Sequence, residues 1–475
     1  MLLKQTKIVA TISDRKCDVE FIKELYDAGM NVVRLNTAHQ TLEDSLKVIE
    51  NVRKISESLP ILVDTKGPEI RTTKTENDIF LKQGDKIYFK GNPNVHSTSE
   101  CICATYPEFV KEVPIGCKIL IDDGELAFLV INKDDEKLEC EILNDGELGS
   151  RKSINIPGVA VALPSLSSKD RDFIDFAIKH NVAFIAHSFV RNKEDIIEIQ
   201  KILDEQKSEV KIIAKIENQQ GVDNIDEILE HAYGIMIARG DLGIEIPAEK
   251  IPGVQKLLIR KSIACRKPVI VATQMLYTMI HNPRPTRAEV SDVANAIFEG
   301  TDAIMLSGET AFGKYPVEAV KTMTRIAQQV ESNRTNFKEP SDKGLHNKIS
   351  GLLAKAAVQA TEKLPVKCII ADSMTGRTIR NLCAFRGKFP ILAFCYNKRL
   401  MRELALSYGV KSYYLNQRNS TDEFYHFITG ILMEEGKINK EDLIVVVAGN
   451  FGPGNGASFI EISTIESLSK RMPKQ

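Results

Sequence analysis

The sequence predicts an α/β protein: a (β/α)8 TIM barrel with a small β-barrel lid domain inserted after strand 3, and a C-terminal open α/β domain. Three observations carry the prediction. From Thr6 to Val330 short β-branched runs alternate with helical stretches whose apolar residues recur every three or four positions. The third and fourth runs are separated by a long segment rich in hairpin turns. Beyond a polar stretch near residue 340 the strand and helix alternation starts afresh.

The strands expected for the barrel are residues 7–12, 31–35, 61–64, 183–187, 210–216, 234–238, 268–272 and 303–306. Between them lie amphipathic segments. In residues 194–203, Ile196, Ile199 and Leu203 share one face, which suits an outer helix covering a parallel sheet, and residues 254–264 read the same way. Eight parallel strands, each followed by a helix, close most economically into a barrel. The insert, residues 73–159, has runs at 79–81, 86–89, 118–121, 127–131 and 138–143. They are broken by Gly84-Asp85, Asp122-Asp123-Gly124 and Asn144-Asp145-Gly146, residues that favour tight turns. Its removal leaves residues 1–72 and 160–339, close to the ~250 residues typical of such a barrel. Pro340, Ser341 and Asp342 mark a linker, and residues 340–475 form the last domain. There, helices at 352–363, 378–385, 398–408 and 421–435 alternate with strands at 366–371, 391–394, 412–415 and 443–447. That is a doubly wound pattern, whose ligands would bind beyond the strand C-ends.

With 475 residues at 43% hydrophobic, the chain exceeds what one small core needs and excludes a disordered tail protein. Lys and Arg number 63 against 64 Asp and Glu, so no global field draws it to nucleic acid or an acidic membrane, and any anion site is local. Its apolar runs fall short of the ~20 residues a bilayer needs, and residues 1–7 carry no apolar signal region. The expectation is a soluble, cytoplasmic protein. Nine cysteines without C-x-x-C pairs fit reduced thiols, and Cys101 and Cys103, two apart, are expected on one face of a strand.

In such a barrel the active site lies at the carboxyl ends of the strands. Polar groups gather there in this sequence. The second strand ends in Arg34-Leu35-Asn36 with His39 beyond, and the third runs from Asp64 through Thr65, Lys66 and Glu69 to Arg71. The fourth ends in Ser188-Phe189-Val190-Arg191, the fifth in Lys215-Ile216-Glu217-Asn218 and the sixth in Arg239-Gly240-Asp241. The seventh gives Thr273-Gln274-Met275 and the eighth Ser307-Gly308-Glu309-Thr310. Taken singly, each is a solvated loop end more often than a functional group; seven in succession are not. Glu217 and Asp241 would repel one another in a dry cleft unless a cation lay between them, and hard oxygen donors suggest Mg2+ or Mn2+. The competing reading is that each carboxylate pairs with a nearby base, Lys215 or Arg239. Arg34, Lys66, Arg71, Lys215 and Arg239 are expected to converge on the same mouth, more positive charge than two carboxylates need, so an anionic ligand is implied. Phosphoryl transfer uses such a site, stabilised by metal ions and fixed cations. No P-loop is present, and Gly452, Gly454 and Gly456 do not match the dinucleotide fingerprint. There is no H-E-x-x-H and no nucleophile elbow. In Thr286 and Glu289 the T-x-x-E pattern reads as a capping box at a helix start.

At these residues the chain resembles the pyruvate kinase family. Residues 215–218 followed by 235–243, the run 283–289 and residues 305–310 stand like that family's signatures, in its order and across nearly the whole chain. The resemblance implies the last step of glycolysis, transfer of a phosphoryl group from phosphoenolpyruvate to ADP to give pyruvate and ATP. By matched position, Lys215 and Arg34 would serve the transferring phosphoryl, and Glu217 and Asp241 would hold Mg2+ or Mn2+. The backbone at Gly240 and Asp241 would receive the substrate carboxylate. Thr273, Ser307 and Glu309 would deliver the proton to the enolate, and Asn36, His39 and Arg71 would face the nucleotide. A potassium site would use Asn36, Asp64 and Thr65. The loop Ser373, Thr375, Gly376, Arg377 and Thr378 would take a sugar-phosphate effector, its competing reading being an ordinary helix start. The assembly implied is a homotetramer. Three positions depart from the family pattern: Ser13-Asp14 replaces Gly-Pro near the adenine, Ala38 replaces a serine ligand of potassium, and Ala162 replaces the hinge aspartate. Glu69, by contrast, accompanies potassium dependence in the family, so a retained but weakened monovalent site is expected. Two other classes stay in view: a metal-dependent lyase or aldolase acting on pyruvate enolates, and a nucleotide-sensing scaffold that has lost catalytic groups. Neither needs Lys215.

Overall fold

The computed structural model describes residues 4–333, 339–341, 345, 347–416, 420–436, 438–449 and 456–469. Asp342 of the expected linker, Gly452 and Gly454 lie outside them. Eight parallel strands close a barrel: Lys7–Thr11, Val32–Asn36, Ile61–Asp64, Phe184–His187, Lys211–Ile216, Gly234–Ala238, Val269–Ala272 and Ala303–Leu306. Their ends differ from the expected ones by a single residue at most. The eighth strand pairs with the first, Lys7 opposite Ala303, and the third with the fourth, Leu62 opposite Phe184, across the entire insert. Alternation along each strand sorts the core into two layers. Val9, Val32, Leu62, Phe184, Ile213, Met236, Ile270 and Met305 fill the interior, while Ile8, Val33, Ile185, Ile212 and Ile304 face the outer helices. Capping boxes at Thr41, Ser167 and Thr286 start three of those helices and satisfy their first amides.

The lid is a seven-stranded sheet, with a two-stranded one of Ile79–Leu81 and Gly146–Leu148, around its own core of Phe89, Phe109, Phe128 and Leu138. Its outermost strands, Ile70–Arg71 and Cys101–Ala104, meet: Thr105 N–H donates to Arg71 O at 2.8 Å and Thr73 N–H to Cys103 O at 2.8 Å, which closes the sheet on itself. Ile70–Arg71 pairs with Ser153–Asn155, so the lid takes up the chain before Thr73. Cys101–Ala104 puts Cys101 and Cys103 on one face of a strand, as expected, whereas Gly146–Leu148 and Ser153–Asn155 were not among the expected runs.

The C-terminal domain is a five-stranded sheet in the order Val410–Tyr414, Ile391–Cys395, Val366–Ser373, Leu443–Ala448, Phe459–Thr464, the last strand antiparallel and not expected. It docks under the barrel, at the N-terminal ends of the strands. Leu406 packs into the barrel interior cluster, Gly409 N–H donates to Gln5 O at 2.9 Å, and Arg386 donates to Asp302 at 2.6 Å with both side chains nearly fully buried. The strand C-ends are thus left to the lid.

Candidate active site

At the open end of the barrel four strands contribute one chain of alternating charge. Arg34 donates through Nε to Asp64 Oδ2 at 2.6 Å and through a terminal nitrogen to Thr11 Oγ1 at 2.9 Å. Lys215 Nζ lies 3.1 Å from Asp64 Oδ1 and 2.9 Å from Glu217 Oε1, and it donates to Ser188 Oγ at 2.7 Å. Ser188 Oγ passes on a hydrogen bond to Thr65 O at 2.6 Å. Lys215 and Glu217 meet because side chains two apart on a strand point the same way. Register does the rest, setting Asn36 opposite Asp64 on the neighbouring strands.

Asp241 lies within electrostatic reach of Glu217. Burial, with Asp241 beside it, pushes Glu217 up to about 7 against the pull of Lys215. Asp241 is raised too, mainly by burial, with a further push from Asp123 in a turn of the lid. Each carboxyl disfavours the other's charge, an arrangement that a cation between them would relieve. Asp64 behaves oppositely: burial would raise it, but Arg34 and Lys215 hold it low. Burial alone would lower Lys215, yet Asp64, Glu217 and Asp241 keep its ammonium protonated well above the ordinary range. Two adjacent hard carboxylates suit a divalent ion that keeps waters and takes its other ligands from a bound anion. Among the described residues, no group of three or more His, Cys, Asp and Glu side chains is placed to hold a metal ion by itself.

Thr273 and Gln274 both have left-handed backbone, φ 66° and 54°. For a β-branched residue that is a strained conformation that must be held by its surroundings. Arg239 holds it, donating to Thr273 O at 2.8 Å while anchored on Asp292 at 2.7 Å. This corrects one expectation: Arg239 is turned to Asp292 and the Thr273 turn, because a buried guanidinium needs a carboxylate and carbonyl partners, and it adds no free charge to the mouth. The Thr273 hydroxyl accepts from Gly240 N–H at 2.8 Å and donates to Ala272 O at 2.7 Å. The short helix Arg239–Glu245 has no side-chain cap. Glu309, buried, accepts from Ser307 N–H at 2.8 Å and Leu276 N–H at 3.1 Å, so both oxygens tie the seventh and eighth strand ends together.

Lys66 and Arg71 both face Glu69, at 3.4 and 2.8 Å. His39 is exposed on the loop after the second strand, and Asn36, half-buried, accepts from Ala38 N–H at 3.2 Å. Asn36, Asp64 and Thr65 are neighbours, but two cations already answer Asp64 and the Ser188 hydroxyl occupies Thr65 O. In the C-terminal domain, Ser373 Oγ accepts from Gly376 N–H at 2.7 Å, and Gly376, φ 77°, starts the helix Arg377–Ala384 without a side-chain cap; Thr375 and Arg377 are exposed and Thr378 is buried. Sequence reasoning gave no role to Thr11, Ser188 or Asp292. Ser188 stood among the strand-end residues; Thr11 and Asp292 had no local signal.

Residues 3–320 match the family model described as pyruvate kinase, barrel domain, and residues 352–463 the one described as pyruvate kinase, alpha/beta domain. The chain is 50% identical over 478 residues to pyruvate kinase of Borreliella burgdorferi, covering 99% of each. It is 44% identical over 456 residues to pyruvate kinase of Staphylococcus epidermidis, covering 94% of this chain and 78% of that one. A crystal structure of a pyruvate kinase from Cryptosporidium parvum superposes with a TM-score of 0.91 at 37% identity, covering 97% of this chain and 96% of that one.

Proposed function

The chain belongs to the pyruvate kinase family and transfers the phosphoryl group of phosphoenolpyruvate to ADP, yielding pyruvate and ATP, and we propose that the Arg34, Asp64, Lys215, Glu217 and Asp241 constellation carries this chemistry. The supporting observation is Lys215, a buried ammonium held between Asp64 and Glu217 at 3.1 and 2.9 Å. Its fixed charge would face a transferring phosphoryl and an enolate oxygen as both develop negative charge, and a preorganised cation in a dry site is worth far more there than in water. Arg34 adds a second fixed cation for the phosphate.

The family works with a divalent metal ion and potassium. Glu217 and Asp241 would hold the divalent ion, which when bound supplies charge neutralisation to the substrate oxygens. Asn36, Asp64 and Thr65 would contribute to a monovalent site weakened by Ala38. The substrate carboxylate would take the amides of Gly240 and Asp241, which means that Gly240 gives up its bond to the Thr273 hydroxyl. That exchange would free an acceptor position on the hydroxyl, which would also have to release Ala272 O before it could pass a proton toward the enolate as it collapses to the ketone. Ser307 would take part in the same relay, and Glu309 would position its backbone. Asn36, His39 and Arg71 would face the nucleotide, the Ser373–Thr378 loop would receive a sugar phosphate, and the chain would assemble as a cytoplasmic homotetramer.

A coupled assay with phosphoenolpyruvate, ADP and magnesium, with and without potassium, tests the constellation. Lys215→Met should lower kcat by at least ~10²-fold, the scale of losing one preorganised electrostatic group. Near wild-type pyruvate formation by that variant would refute the role given to Lys215, and indifference to potassium would remove the monovalent site. For the effector loop, calorimetry with fructose bisphosphate decides, since equal heats from wild type and Thr375→Ala would exclude it.

A further inference from the structure

The strand Cys101–Ala104 carries two thiols on one face, because residues two apart on a strand point the same way. The two sulfurs are electrostatic neighbours, and Cys101 Sγ donates to Ile102 O at 4.0 Å. Cys103 is buried and Cys101 half-buried, so one sulfur of the pair is reachable from solvent. Their backbone is fixed on both edges. Cys103 N–H donates to Ser97 Oγ at 3.0 Å and its carbonyl accepts from Thr73 N–H at 2.8 Å, while Thr98 N–H donates to Cys101 O at 2.9 Å. Lys90, opposite Cys103 in the ladder, and Lys137 add positive charge nearby, and no carboxylate figures among the electrostatic neighbours of either sulfur. Two soft donors held side by side on a rigid frame make a chelating pair whose ordering cost is already met.

We infer that Cys101 and Cys103 form a two-thiol site in the lid for a soft thiophilic centre, trivalent arsenic being the chemical class that fits two sulfurs and no other donor. The step is a condensation. Two S–H bonds and the arsenic–oxygen bond of an arsenoxide break, two As–S bonds form, and the oxygen leaves with both protons as water, with no oxidation or reduction. It consumes thiols, so it suits a pair that burial pushes up, Cys101 to about 11, and that is slow in reactions needing a thiolate. The site sits at the seam where the lid sheet closes against Thr72 and Thr73, next to the strand that enters the lid from the barrel.

The test is titration of the full-length chain with phenylarsine oxide, followed by a count of free thiols in denaturant. One equivalent per chain should remove two of the nine thiols, and a 1,2-dithiol should restore both where a monothiol does not. Cys101→Ser should abolish the dithiol-reversible uptake and Cys117→Ser should leave it intact. Loss of two thiols from Cys101→Ser, or uptake by the wild type that a monothiol reverses, would overturn the proposal. Cys101 is half-buried, so this substitution decides even if Cys103→Ser fails to fold.

Discussion

Glu217 and Lys215 show what a single residue step fixes: side by side on one strand, their charges are set against each other before any ligand arrives. His187 is the contrasting case. It is buried at the end of the fourth strand, and neither ring nitrogen has a hydrogen-bond partner. Burial lowers it to about 4 from 6.5 despite Asp195, Asp170 and Glu198 around it, with Lys215 adding to the lowering. The unfolded chain therefore binds a proton that the folded chain refuses between these values. Stability should be complete above about pH 6.5 and fall by on the order of 3 kcal/mol as pH drops to about 4. His187→Leu should flatten the urea midpoint across that window; an unchanged slope would assign the acid sensitivity to other groups. At this scale the sequence was legible where charged groups sit beside a strand end, as with Lys215 and Glu217, which the structure brings into contact. It was silent on Ser188 meeting Thr65, residues 123 apart in the chain, because only barrel closure brings them together.

Among the elements, the turn after the seventh strand carries the most strain. Thr273 and Gln274 stay left-handed because Arg239, just past the sixth strand and anchored on Asp292, clamps the Thr273 carbonyl. Lysine at 239 would keep the charge but cannot reach Asp292 and Thr273 O with the same planar fork. Arg239→Lys should therefore lower kcat by as much as ~10²-fold through a displaced hydroxyl. The circular dichroism should not change, and the exchange of solvent protons into pyruvate should suffer more than phosphoryl transfer; equal losses in both would make the clamp merely structural. Sequence patterning found all eight barrel strands since each is a β-branched run between helices, and it read Thr286 with Glu289 correctly as a capping box. It passed over Phe459–Thr464 because that antiparallel strand follows its neighbour without the helix that had separated every earlier pair in the domain.

For the whole molecule, the C-terminal domain and the charged mouth lie at opposite ends of the barrel. Arg386 and Asp302 fasten the lower junction, 2% and 4% exposed, with Asp302 also accepting from Val269 and Tyr408 N–H. Arg386→Ala would strand a buried carboxylate and should cost about 3–5 kcal/mol. Chemical denaturation should then resolve a separate early transition for the C-terminal domain, whereas a single unshifted transition would mean that the junction holds by apolar contact alone. The three-part organisation could be read from the chain because each part changes texture at its boundary, but the docking could not, since Leu406 reads like any helical leucine. Leu406 stops the barrel from below like a cork. News from beneath would have to travel the length of the barrel, along the staves themselves or along the outer helices whose lower ends Arg399 and Arg402 also grip, so the parts that give the vessel its stiffness would also serve as its signalling rods.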